Sequence, residues 1–142
     1  MTDMEILEKA IARIEASIDE YDEADTSVIY DSVDAIANAG YKSEAIEALL
    51  QLLERHPLTY FGDPGAIVHF IEQFGGEYEN FLAESVKRTP TNTTVLMLNR
   101  CINAGERTEE FMGILKEIAG RTDVDKDIKE RAQEFVYFQA NQ

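Results

Sequence analysis

From Met4 onward, apolar side chains return every three or four residues. Ile6, Leu7, Ala10, Ile11, Ile14 and Ile18 fall on one stripe of a helix that the pattern carries to about Tyr21. A second helix follows the capping candidates Asp25, Thr26 and Ser27, carries Val28, Ile29, Val33 and Ile36, and stops at Gly40. Ser43 is placed to cap a third, with Ala45, Ile46, Leu49, Leu50 and Leu53, closed by His56-Pro57. The fourth runs from Pro64 to about Phe74 and ends at Gly75-Gly76, and the fifth holds Tyr78, Phe81, Leu82 and Val86 ahead of Pro90. Val95, Leu98 and Ile102 mark a sixth, stopped by Gly105, and Phe111, Ile114, Leu115 and Ile118 a seventh, closed by Gly120. The last begins near Asp125 and presents Ile128, Ala132, Phe135 and Val136. No alternating segment competes for a strand.

The pattern therefore predicts an all-α domain spanning residues 1–142, built of about eight short helices stacked as antiparallel pairs. Pairing helices two with three, four with five and six with seven puts the pair starts roughly 27 to 37 residues apart, near the period of α-solenoid repeats. A HEAT-like superhelix is the expected architecture, with an irregular helical bundle as the alternative, since the pairs are not visibly alike in sequence. Surfaces of such stacks bind proteins more often than they catalyse reactions.

Charge narrows the choice of partner. The chain holds 13 basic and 28 acidic residues, a net charge of −15. Residues 1–56 carry 14 acids and 4 bases, and residues 57–142 carry 14 and 9. Such a field repels phosphate backbones and anionic lipid, and speeds encounter with a basic protein. Cys101 is the single cysteine and has no internal partner for a disulfide, so it reads as a small core residue. The amino terminus, MTDMEILEKA, lacks a basic stretch followed by a long apolar one, and no run reaches about 18 apolar residues. A cytoplasmic protein is expected.

Three stretches invite chemistry. In "DEYDEAD", residues 19–25, five acids gather where the first helix ends, although a helix C-terminus disfavours negative charge. Asp25 is compensated by capping the second helix, whereas Asp19, Glu20, Asp22 and Glu23 have no such role in the sequence, and Asp31 and Asp34 continue the acidity. This is either a solvated charge run or a docking surface for a cation-rich partner, with Tyr21 and Tyr30 as its aromatic companions. In "YFGDPGAIVHFIEQFGG", residues 60–76, Asp63 reads as an N-cap with Pro64 at the first helical position. Tyr60 and Phe61 either fold back onto the next helix, the favoured reading, or stand out as interface anchors. His69, among Val68, Phe70 and Ile71, reads as a core or interhelical hydrogen-bonding group, because no metal-ligand cluster and no nucleophile motif accompanies it. In "RTPTNTTVLMLNRCINAG", residues 88–105, Thr89 caps a helix starting at Pro90 that is apolar over more than one face and hence central. Asn99, Arg100 and Asn103 on it must find partners, Arg100 a carboxylate such as Glu84, or else line a pocket.

Two segments overlapping the second and third stretches, "FGDPGAIVHFIEQF" and "ESVKRTPTNTTVLMLNRCIN", together resemble the small helical immunity proteins found with bacterial polymorphic and contact-dependent growth-inhibition toxins. The resemblance covers about residues 60–104 and transfers no binding residue position by position. It implies an α-helical, non-enzymatic protein that binds and neutralises one cognate toxin, and many such toxins are basic nucleases. The expected partner-binding residues are Asp19, Glu20, Asp22, Glu23, Tyr30, Asp31, Asp34, Tyr60, Phe61 and Asp63. Neither nucleic acid nor membrane is an expected partner; no cofactor or metal is expected, and the protein should act as a monomer. The competing expectations are a HEAT-like adaptor for an ordinary cellular protein or peptide, and a small hydrolase using His69 with Asn99 and Arg100.

Overall fold

The computed structural model describes residues 2–142. Eight α-helices span them: α1 (Asp3–Ala16), α2 (Thr26–Asn38), α3 (Ile46–Arg55), α4 (Gly65–Glu72), α5 (Tyr78–Arg88), α6 (Asn92–Asn103), α7 (Thr108–Gly120) and α8 (Lys126–Ala140). Among the described residues the only β-pairing is an isolated parallel bridge between Glu23 and Tyr60. The fold is all-α, as the periodicity predicts.

Helix ends differ from the sequence expectation where side chains found better partners. α1 stops at Ala16 rather than near Tyr21, because the Ser17 hydroxyl donates to the Ile14 carbonyl (2.7 Å) and accepts from the Asp25 amide (3.1 Å), turning the chain. Ser43 opens a 3-10 turn, Ser43–Ala45, ahead of α3 instead of capping it. The cap of α6 is Thr91, not Thr89. Thr91 and Thr94 satisfy each other's amides reciprocally at 2.9 and 3.1 Å, and both side chains are buried.

Packing is pairwise at both ends of the chain, α1 on α2 and α7 on α8, and α6 packs on α7. In the middle α2 packs on α4 and α3 on α5, rather than chiefly on one another. This crossing replaces the two-by-two stacking expected for helices two to five and gives an irregular bundle. One cluster of buried side chains draws on all eight helices. α6 touches α3, α5, α7 and α8 and buries Val95, Met97, Leu98, Cys101 and Ile102, so the helix read as central is central. Its first residue also fixes the segment before α4. The Asn92 amide donates to the Pro57 carbonyl (2.8 Å) and its side-chain amide to the Leu58 carbonyl (3.2 Å).

Candidate functional site

Residues 17–25 fold into a loop knitted by their own acids. The Asp19 carboxylate accepts from the amides of Tyr21 (2.8 Å) and Glu23 (3.2 Å). Asp22 lies in the left-handed region at φ 60, and its carboxylate accepts the hydroxyl of Thr59. Backbone bonds complete the junction: the Tyr60 amide donates to the Asp22 carbonyl (2.9 Å) and the Ala24 amide to the Tyr60 carbonyl (3.0 Å). Asp25 caps α2 as expected, accepting from the Ser27 and Val28 amides (2.9 and 3.2 Å). The Ser27 hydroxyl, then the Val28 N–H, hold its carboxyl below the ordinary value. Asp19 and Asp22 therefore have structural roles that the sequence concealed, and the acidic run lies beyond α1, not on its last turn.

The junction delivers two tyrosines to one place. Tyr30 of α2 and Tyr60 are half-exposed, at 49 and 50 %, and both line a cleft of about 300 Å³ between α2 and the start of α4. Phe61 is 2 % exposed and, with Ile29, belongs to the cleft's buried wall. The two neighbouring aromatics thus divide: Phe61 folds back into the core and Tyr60 stands out. Asp63 and His69 complete the rim. His69 is exposed, 58 % by side chain, with Nδ1 3.9 Å from Glu72, so the expectation of a core histidine is corrected. The helical stripe of α4 turns Ala66, Ile67, Val68, Phe70 and Ile71 inward and leaves position 69 outside. Asp63 does not cap α4. Gly62 and Gly65 both adopt positive φ in the turn, α4 begins at Gly65, and the Asp63 carboxylate accepts from Arg131 of α8 at 2.9 Å. Asp31 and Asp34 are exposed on α2, Asp34 one turn beyond Tyr30. Glu20, Glu23 and Tyr21 are exposed on the neighbouring loop.

The remaining polar residues form separate structural clasps. Arg100 meets Glu72, not Glu84, through two bonds of 2.7 and 2.9 Å, on one wall of a cleft of about 520 Å³ that also includes Tyr78 and Glu79. Buried Asn99 accepts from Gln139 of α8 at 2.7 Å. Gln139 also donates to Asn103 at 2.8 Å. His56 Nε2 and the Arg55 guanidinium both reach Glu15 (2.6 Å; 3.1 and 2.9 Å), tying α3 to α1, and Arg55 chiefly holds the Glu15 carboxyl below its ordinary value. Cys101 is buried, its Sγ 3.3 Å from the Tyr78 hydroxyl, and burial pushes both thiol and phenol upward. Among the described residues no group of three or more His, Cys, Asp or Glu is arranged to hold a metal ion.

Sequence reasoning missed the outer face of α8. Tyr137 and Phe138 are 73 and 48 % exposed, and Tyr137 shares a hollow with Glu130 and Glu134. The signal was present in "FVYF", residues 135–138, since four consecutive apolar positions exceed what one helical stripe can bury. No helix among the described residues is long and apolar enough to cross a membrane. Comparison with protein-family models, with curated proteins and with solved structures finds no match to this chain.

Proposed function

We propose that this chain is a non-enzymatic immunity protein that binds a cognate basic toxin domain and neutralises it by covering its cationic substrate cleft. The observation that carries the reading is the grouping of Tyr30 and Tyr60 on one cleft, edged by Asp63 and flanked by exposed Asp31, Asp34, Glu20 and Glu23. Tyrosines that are rigidly based and half-exposed supply contact area at small entropic cost, as binding hot spots do. The surrounding carboxylates steer a basic partner and exclude anionic competitors. With a net charge of −15 behind it, this face opposes like-charged proteins and favours a cationic one.

The test begins with the protein that co-purifies with the tagged chain at low salt. Expressed alone, that protein should arrest growth, and the wild-type chain should restore it. The double substitution Tyr30→Ser and Tyr60→Ser should abolish the rescue while leaving the circular dichroism spectrum unchanged. A harmless, abundant partner held by the same face would make the chain an adaptor and remove the immunity reading.

A further inference from the structure

Asp63, on the rim of the cleft at Tyr30 and Tyr60, also lines a neighbouring hollow. This second hollow, of about 390 Å³, lies between Asp63 and α8, lined by Asp127, Glu130, Arg131, Glu134 and Phe135. A third, of about 340 Å³, shares Glu130 and Glu134 with it and reaches Tyr137. Asp63 lines the first and second, and Glu130 and Glu134 line the second and third, so the three hollows are neighbours along one face. Taken in order they pass from Tyr30 and His69, by Asp63, along α8 to Tyr137, and the α8 portion, from Asp127 to Tyr137, is about 15 Å long at the helical rise.

The charged lining of the hollows is Asp63, Asp127, Glu130 and Glu134 against Arg131, with His69 at one end. Lys126, on the same helix, is 85 % exposed by side chain and lies 3.8 Å from Glu130, a surface pair that screens that carboxylate little. Arg131 shows what the hollows accommodate. Its guanidinium donates to Asp63 at 2.9 Å and lies 5.4 Å from the centre of the Phe135 ring, held by a carboxylate and an aromatic face together. A carboxylate and an aromatic ring also line each neighbouring hollow, Asp63 with Tyr60 in the first and Glu134 with Tyr137 in the third.

We propose that the Tyr30–Asp63 cleft and the outer face of α8 form one continuous trough that receives an arginine-rich segment of the protein partner, with Arg131 occupying a position that a partner guanidinium takes over. The inference rests on the reading of the partner as basic, and adds to it the contribution of α8. Arginine fits better than lysine because its planar cation both stacks on aromatic rings and bonds carboxylates in pairs. A second copy of the chain is disfavoured by its own charge of −15.

The experiment titrates the isotopically labelled full chain with a nona-arginine peptide at physiological salt, following backbone amides by NMR. Shifts should appear together at Tyr60, Asp63, Glu130, Glu134 and Tyr137. Glu130→Gln with Glu134→Gln should weaken the peptide about tenfold, and the equal loss of charge in Glu5→Gln with Glu8→Gln, on α1, less than about twofold. Arg131→Gln should tighten binding about threefold by removing a like charge and opening Asp63. A nona-lysine peptide should bind more weakly than nona-arginine. Equal losses from the two double variants, shifts confined to α2 and Tyr60, dimerisation through α8, or weaker binding by the Arg131 variant would each overturn the trough. Shifts confined to α2 and Tyr60 would leave the immunity reading intact, whereas failure of growth rescue would not disturb a trough mapped by the peptide.

Discussion

Asp22 holds the left-handed backbone at φ 60 and takes the Thr59 hydroxyl, so it ties the 17–25 loop to the segment that presents Tyr60. Asp22→Ala removes that bond and places alanine in a conformation it tolerates less well, and should cost about 1–3 kcal/mol in urea unfolding. Glu20→Gln and Glu23→Gln, on the same exposed loop, should leave the unfolding free energy within about 0.5 kcal/mol. The charge contribution of this loop to binding is thus measured cleanly with the glutamates, not with Asp19 or Asp22. Gly62 is a second fixed point: at φ +111, an added Cβ would lie 2.6 Å from the Gly65 Cα, backbone that cannot swing aside. Gly62→Ala should lower the unfolding free energy by about 2 kcal/mol or more and shift the amide resonances of Tyr60 and His69. At this scale the sequence was only partly legible. It located every acid of the run, but Thr59, the group that gives Asp22 its role, is 37 residues away. Tyr60 and Phe61 look alike in sequence, and only the direction of the chain after the Glu23 bridge sends one inward and the other out.

Among the helices, existence and order were legible because each apolar stripe is interrupted by glycine, proline or a capping side chain. α6 declared itself central through apolar positions on more than one face, and Leu98→Ala, at 0 % exposure, should cost about 2–5 kcal/mol by calorimetry. Pairing was less legible, since a stripe says that a face is covered but not by which helix. The α2–α4 and α3–α5 contacts are set by three-dimensional crossing that no local period encodes. Helix clasps carry a pH signature. Glu15 is bonded by Arg55 and His56, and Glu54 by Arg88 and Ser85, the arginine being the largest influence in each; both carboxyls are held below their ordinary value of 4.5. A carboxyl depressed in the folded state contributes stability that is complete above about pH 4.5 and disappears as pH falls through the folded value. Thermal unfolding midpoints should therefore drop below pH 4.5, and a Glu15→Gln, Glu54→Gln double variant should be less stable at pH 7 but lose less on acidification.

Across the whole molecule, the net charge of −15 acts on partners before any contact forms. Association with a basic partner should slow at least about tenfold between 15 and 500 mM salt while dissociation changes much less, as stopped-flow kinetics would show. A rate indifferent to salt would leave the acidity with no part in recognition. Asp63 lines both the tyrosine cleft and the hollow against α8 and is bonded to Arg131, so a partner spanning both would tether α2 to α8. Cys101 supplies a natural stopwatch for that effect. Its thiol, 2 % exposed and raised by burial, meets reagent only when the α5–α6 region opens. The pace at which a thiol dye stains the untagged native chain therefore reports how often the molecule opens. Occupation of the binding surface should retard staining by the factor 1 + [L]/Kd when staining requires global unfolding, turning the lone sulfur into an affinity gauge that needs no engineered probe site in this chain.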